Sequence, residues 1–336
     1  MKKIAKYFFS ISLLISSLSI YGLPTAKLTI RVVDETGEPV INAKAGMSIS
    51  TPKISGAGSD STNVRGFTDS NGLYTVRGAT EKYIGITVKK EGYYKTSTNY
   101  QGFTGASGIL GFRRWEPWNP TIDVVIKKMI NPIPMYVAEI DGKSYDDPAI
   151  LPSEGEFFGY DLIAKDWVVP HGQGLHSDFI FKIDVNHYTS LSDFDKTMTL
   201  QFSNPDDGIQ SFYAFRKGNS VLRLPHHAPL KGYNDKLVVR SSAKKGKVYK
   251  STRRKDQNYF FRVRTKRDNQ GNIIDAYYGK IHGNIGSSMP RENKKGKIYF
   301  TYYLNPNNND TNVEFASEKN LFPEPKGHRG RYWFNP

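Results

Sequence analysis

Residues 166–178, DWVVPHGQGLHSD, bring Asp166, His171, His176 and Asp178 close together, and Asp184 and His187 follow. Imidazole and carboxylate ligands hold zinc at about 2.0–2.2 Å, so the group could serve a metal or a secreted hydrolase. The step from His171 to His176 is split by Gly172 and Gly174, and no Glu stands between the histidines. A helical metallopeptidase motif would need both. The segment therefore predicts a glycine-rich hairpin with exposed histidines, and no metal ligand is assigned. His226 and His227 lie between Pro225 and Pro229, which predicts an extended surface loop. No GxSxG elbow occurs, and GAGS (56–59) and GASG (105–108) lack the lysine and helix of a phosphate loop. The chain has no cysteine, so a thiol nucleophile and a cysteine zinc site are excluded. No catalytic residue and no cofactor is expected. A hydrolase with its site near Asp166 to Asp178 is the alternative reading.

Charge is the stronger signal. The chain carries 47 Lys and Arg against 32 Asp and Glu, a formal net charge of +15. Between residues 231 and 267 stand 14 cations opposed only by Asp235 and Asp256. In YFFRVRTK, period-two alternation predicts Arg262, Arg264 and Lys266 on one face and Phe261, Val263 and Thr265 on the other. Lys244, Lys245 and Lys247 crowd the segment just before it. These six are the candidate ligand-binding residues. The expected partner is an anionic polysaccharide or another acidic cell-surface component. A strand face whose lysines and arginines only protect an edge is the competing expectation. Nucleic acid is not expected, because the chain begins like an exported one.

Export is read from the first 22 residues. Lys2, Lys3 and Lys6 precede the apolar stretch Tyr7 to Ile20, and Ser17, Ser19 and Gly22 are small residues suited to cleavage. A secreted protein, with no membrane span after this segment is removed, is the expectation. Whether it ends in the periplasm, at the cell surface or outside the cell is open.

The elements that must hold these residues are strands. With 38% hydrophobic and 24% charged residues, the chain is neither wholly disordered nor a polytopic membrane protein. LTIRVV (28–33), LYTV (73–76) and ITVK (86–89) alternate between turn signals such as DETGEP and TDSNG. Further on, SDFIFKIDV, TMTLQFS, KLVVRS, YFFRVRT and IYFTYYL continue the pattern. RDNQGNII (267–274) reads as a hairpin loop. Beyond the leader, no window keeps a helical period. The fold class is all-β: an N-terminal seven-stranded-type β-sandwich (prealbumin/Ig-like), then a second, larger antiparallel β-sandwich or jelly-roll-like domain. The boundaries are a signal peptide at 1–22, a first domain at 24–130 and a proline-containing connector at 131–136. A second domain at 137–323 and a basic aromatic tail at 324–336 complete the chain.

VVDETGEPVINA (32–43), TDSNGLYTV (68–76) and ITVKKEGYY (86–94), in that order, resemble the carboxypeptidase regulatory-like domain. That family is a small prealbumin-type sandwich found in exported bacterial proteins. The resemblance implies an accessory module with no catalytic residue of its own. A departure is the glycine-rich insert at 98–120, which carries Tyr100, Phe103, Phe112, Trp115 and Trp118. These rings are expected to pin the loop against the neighbouring domain; stacking on sugar is the alternative. The order NPIPMY, YDL…DWV…HG…DFIF, FRVRT…YGKI is also similar to that of a group of exported bacterial proteins, and implies no catalytic residue.

Overall fold

The computed structural model describes residues 23–52, 59–109, 113–141, 149–215, 220–288, 296–323 and 334–336. The expected leader, Phe112 and most of the basic tail lie outside them. The described residues are all-β, with no helix, and divide into two compact units. One holds the chain up to Glu91 together with Lys95–Ile126. The other holds Gly92–Tyr94 and everything from Lys127 onward.

The first unit has nine strands: β1 (Thr25–Val33), β2 (Lys44–Pro52), β3 (Ser59–Phe67), β4 (Leu73–Ala79), β5 (Ile84–Lys89), β6 (Thr96–Tyr100), β7 (Gly105–Ser107), β8 (Arg114–Glu116) and β9 (Thr121–Val125). One sheet runs β4-β1-β8-β7, with β9 also on β1; the other runs β3-β2-β5-β6. The expected alternation holds. Leu28, Ile30 and Val32 of β1, Met47 of β2 and Ile84, Ile86 and Val88 of β5 are buried, while Arg31 lies outside and pairs with Asp123 at 2.7 Å. The sheets approach so closely that a Cβ on Gly78 of β4 would stand 2.5 Å from Ile49 Cδ1 of β2. Both β8 and β9 run parallel to β1, which departs from a purely antiparallel sandwich. The aromatic insert closes on this same unit. Phe103 is buried between Tyr100 and Trp115, and Trp115 Nε1 donates to Thr80 O at 2.9 Å. Arg77 and Arg114 lie over the Trp118 ring. Tyr100, Phe103, Trp115 and Trp118 thus have these partners within their own unit, where the expectation named the neighbouring domain.

The second unit holds β10 (Ile133–Ile140), β11 (Phe158–Asp161), β12 (Asp166–Trp167), β13 (Phe179–Ser190), β14 (Asp193–Gln201), β15 (Gly208–Tyr213), β16 (Lys236–Ala243), β17 (Lys250–Ser251), β18 (Gln257–Arg267), β19 (Ile273–Ile281), β20 (Gly286–Ser287), β21 (Ile298–Leu304) and β22 (Phe315–Asn320). A seven-stranded sheet runs β15-β18-β19-β21-β10-β22, with β20 on β21. A six-stranded sheet runs β12-β11-β13-β14-β16-β17. Between them lies an aromatic core that includes Phe179, Phe181, Phe261, Phe300 and Tyr302.

The seven-stranded sheet is also covered on its other face. There Phe260, Tyr278 and Tyr303 pack with Leu224, Val313 and Phe315. Double coverage explains why YFF (259–261) and YYL (302–304) are apolar without a break. The residues expected as a connector, 131–136, run into strand β10. Met135 is fully buried, and β10 sits between β21 and β22. Pro134 is tolerated because the pairs flanking it are Ile133 and Met135 with β22, and pairing with β21 begins only at Tyr136.

Candidate ligand-binding site

The basic stretch does not make one face. Lysines 236 to 250 belong to β16, β17 and their connection in the six-stranded sheet, whereas Arg262, Arg264 and Lys266 belong to β18 in the seven-stranded sheet. Within β18 the alternation breaks. The register with β19 slips between Val263 and Lys266, and Arg264 has φ 58°. Asp207 fastens this bulge by accepting Arg264 N and Thr265 N, each at 2.9 Å. A bulge re-aims the side chains that follow it, so the period-two expectation for these three cations is corrected.

Arg262 is buried. Its Nε donates to Asp206 O and its Nη1 to Leu230 O, both at 3.1 Å, and its guanidinium lies over the Tyr233 ring. It forms one wall of a cleft of about 550 Å³ in which Asp206, Asp207 and Asp235 balance Lys231, Arg262 and Arg267. Arg264 turns inward. Its Nε donates to Asp178 Oδ1 at 2.7 Å, and its Nη2 to Asp178 Oδ2 at 2.8 Å and Asp161 Oδ1 at 2.9 Å. Lys266 is exposed and pairs with Asp275 at 2.9 Å. The repulsion expected along the strand is thus relieved by carboxylates remote in sequence.

The candidate hydrolase segment is drawn into the same ion network. Asp178 is buried, and burial raises its pKa against the opposing pull of Arg264. For Asp161, burial also opposes ionisation, but backbone N–H groups of Ala164, Leu175 and His176, together with Arg264, outweigh it and hold the carboxyl low. Asp166 accepts Trp167 N and Gln173 N. His171 and His176 are exposed, and among the described residues no three His, Asp or Glu side chains converge on a metal position. His226, expected on a surface loop, is buried; its ring bonds Lys128 O at 2.8 Å and lies 3.9 Å from Glu314 Oε1.

What remains open is the tip of the six-stranded sheet. A cleft of about 570 Å³ there is lined by His187, Asp193 and Asp195 together with Lys244, Lys247, Val248 and Lys250. Lys244, Lys245, Lys247 and Lys250 are exposed, and none pairs with a carboxylate among the described residues. The tight turn that carries them is closed by Lys247 N on Lys244 O at 2.8 Å, with Gly246 at φ 76°. Glycine suits that conformation, and four ammonium groups follow from the geometry of one hairpin.

Sequence reasoning missed two groups at the base of this tip, Lys196 and Tyr249. Lys196 is buried on β14, opposite Ser241 of β16, which in turn faces Ser251 of β17. Its Nζ donates to Ser287 O at 2.5 Å. Burial, then Arg253, lowers its pKa to about 8. Tyr249 accepts a bond from Arg253 Nη2 at 3.0 Å. Burial pushes this phenol up, but Ser241, Ser251 and Arg253 pull harder, to about 8. A lysine in the inward register of TMTL-type alternation was the available signal. Also missed was Lys280, fully buried, its Nζ without a hydrogen-bond partner and 5.0 Å from the Tyr303 ring centre; burial lowers its pKa to about 7.

Fold and site define an all-β protein of two sheet-packed units with an unpaired cationic hairpin. No family model and no curated protein matches the chain. Among solved structures, it is similar over 32% of its length to 3-chlorocatechol 1,2-dioxygenase from Rhodococcus opacus 1CP. That match has 13% identity and a TM-score of 0.26, and covers 61% of that chain. Catechol 1,2-dioxygenase from Acinetobacter sp. ADP1 gives 15% identity and a TM-score of 0.26 over 32% of this chain and 54% of that one. The dioxygenase domain of a dioxygenase carbohydrate-binding protein fusion from Streptomyces sp. SirexAA-E gives 13% and 0.24, over 34% and 86%. The chain thus spans less than two thirds of the first two structures, and similarity this low says nothing of its activity.

Proposed function

We propose that the protein is an exported, non-catalytic binding protein whose second unit contacts an anionic polysaccharide through the β16–β17 hairpin. In this reading the first unit is an accessory sandwich of the carboxypeptidase regulatory-like kind. The observation that carries the proposal is the contrast in pairing. Arg264, Lys266 and Arg267 each have a carboxylate, while Lys244, Lys245, Lys247 and Lys250 have none among the described residues, and all of these four but Lys245 line a cleft. Ammonium groups held together without partners attract a multivalent anion more than any single carboxylate.

The test is binding of a sulfated and a neutral polysaccharide to the full chain. Sulfated-polymer affinity is expected to fall at least about tenfold between about 0.05 M and about 0.5 M salt, because screening shortens the reach of these charges. Lys244→Ser/Lys245→Ser/Lys247→Ser is expected to weaken it by a similar factor without changing the melting temperature. Tight neutral-polymer binding that ignores both salt and the triple substitution would overturn the proposal.

A further inference from the structure

Behind the hairpin lie two cations for which the described residues supply no carboxylate. Lys196, on the floor, is buried with a single carbonyl as partner. Arg253, half-buried, donates to Ser251 Oγ at 3.4 Å and Tyr249 OH at 3.0 Å. Tyr299 OH donates to the same Ser287 oxygen that Lys196 uses, at 2.7 Å, and Tyr299 also bonds Arg253. Tyr249 is 48% exposed, so the group opens to solvent. Its chain position places it beside the lysines, since Ser241 and Ser251 flank the hairpin at its base.

Burying an ammonium beside a guanidinium is costly unless an anion neutralises them. Among the described residues the Tyr249 hydroxyl is placed to do so, but its hydrogen bond goes to Arg253, and Lys196 bonds Ser287 O instead. We infer that Lys196, Arg253 and the Tyr249 hydroxyl form a subsite for one oxyanion, carried as a sulfate or carboxylate group on the polymer that the hairpin binds. The inference rests on the polyanion reading for its source of ligand, but not for its geometry. Lys196 and Arg253 would neutralise the oxyanion and the Tyr249 hydroxyl would donate to it, while Tyr299, whose proton goes to Ser287 O, borders the subsite. An occupied subsite therefore disfavours the Tyr249 phenolate, which competes for Arg253.

The experiment is an alkaline titration of the full chain followed by phenolate absorbance. Wild type is expected to show one tyrosine ionising near 8; Tyr249→Phe removes that step and so assigns it. Inorganic sulfate should raise its midpoint by about one unit, while chloride at equal ionic strength should not. Lys196→Met and, on the half-exposed side, Arg253→Gln should each abolish the sulfate response. A sulfated polysaccharide should give the same shift at far lower concentration. Lys244→Ser/Lys245→Ser/Lys247→Ser should weaken the polymer's effect and leave that of sulfate intact. Polymer binding with an unmoved Tyr249 midpoint would overturn the subsite and leave the hairpin reading standing. A sulfate shift with no polymer binding would do the reverse. A shift that persists in both Lys196→Met and Arg253→Gln would place the anion elsewhere and also overturn the subsite.

Discussion

Arg264 and Lys280 show two ways in which this chain buries a cation. Arg264 is matched by two carboxylates, Asp161 and Asp178, the second fully shielded. Removing one partner of such a network leaves the others charged and unpaired. Arg264→Met is therefore expected to destabilise the second unit by about 3–5 kcal/mol, read by denaturant unfolding. A variant as stable as wild type would show that the network is not needed. Lys280 has no carboxylate bonded to it among the described residues; burial, then Arg223, outweighs the attraction of Glu314 and lowers its pKa to about 7. The unfolded chain keeps this lysine protonated up to about 10.4, so between the two values the unfolded state binds more protons. Its contribution to stability thus rises as pH climbs from about 7 toward 10, and the penalty is complete below 7. Lys280→Met should melt higher than wild type at pH about 6, by a few kcal/mol, and the gap should close by pH about 10. A constant gap across that range would contradict the burial account.

Turns and bulges decide what the strands present. The Asp69–Gly72 turn is fixed by Asp69 Oδ1, which accepts Asn71 N and Leu73 N, and by Gly72 N on Asp69 O. Gly72 has φ 72°, and a Cβ there would stand 2.5 Å from Val32 O. Gly72→Val combines an unfavourable backbone conformation with a clash, and should cost the first unit about 1–3 kcal/mol or more. Thermal unfolding with an unchanged midpoint would refute this. In β18 the bulge at Arg264 has the larger consequence for function. Arg262, ahead of the slip, is already tied to Asp206 O and Leu230 O; the slip turns Arg264 inward as well and leaves Lys266 to Asp275.

Over the whole molecule, charge sorts by whether the fold supplies a partner. The excess of 47 basic over 32 acidic residues does not spread evenly, because Asp161 of β11, Asp178 just before β13 and the turn before β15 converge on β18, while the lysines of the β16–β17 hairpin pair with no carboxylate among the described residues. Two substitutions of equal formal charge should then behave oppositely. Lys244→Ser/Lys245→Ser should elute earlier from a cation exchanger with an unchanged melting temperature. Arg262→Ser/Arg264→Ser should lower the melting temperature sharply, since both side chains are tied into the interior. Equal melting temperatures for the two double variants would contradict this division of roles.

Strand identity was legible locally, since period-two alternation in LTIRVV and ITVK, and turn signals at TDSNG and RDNQG, act over a few residues. The lysine cluster at 244–247 was legible too, because hairpin loops are exposed wherever the strands pair. The partners of Arg264 were not: Asp161 and Asp178 lie 103 and 86 residues away in the chain. Nor was β10 legible, because prolines in NPIPMY match a linker and a strand equally until β21 and β22 arrive on either side. The burial of Lys280 was not legible either, because the residues that cover it come from other segments of the chain. Composition and alternation determine which residues can form strands. Which face is covered, and which charges meet, depends on sheets assembled from segments remote in sequence, and those contacts exist only in the folded chain.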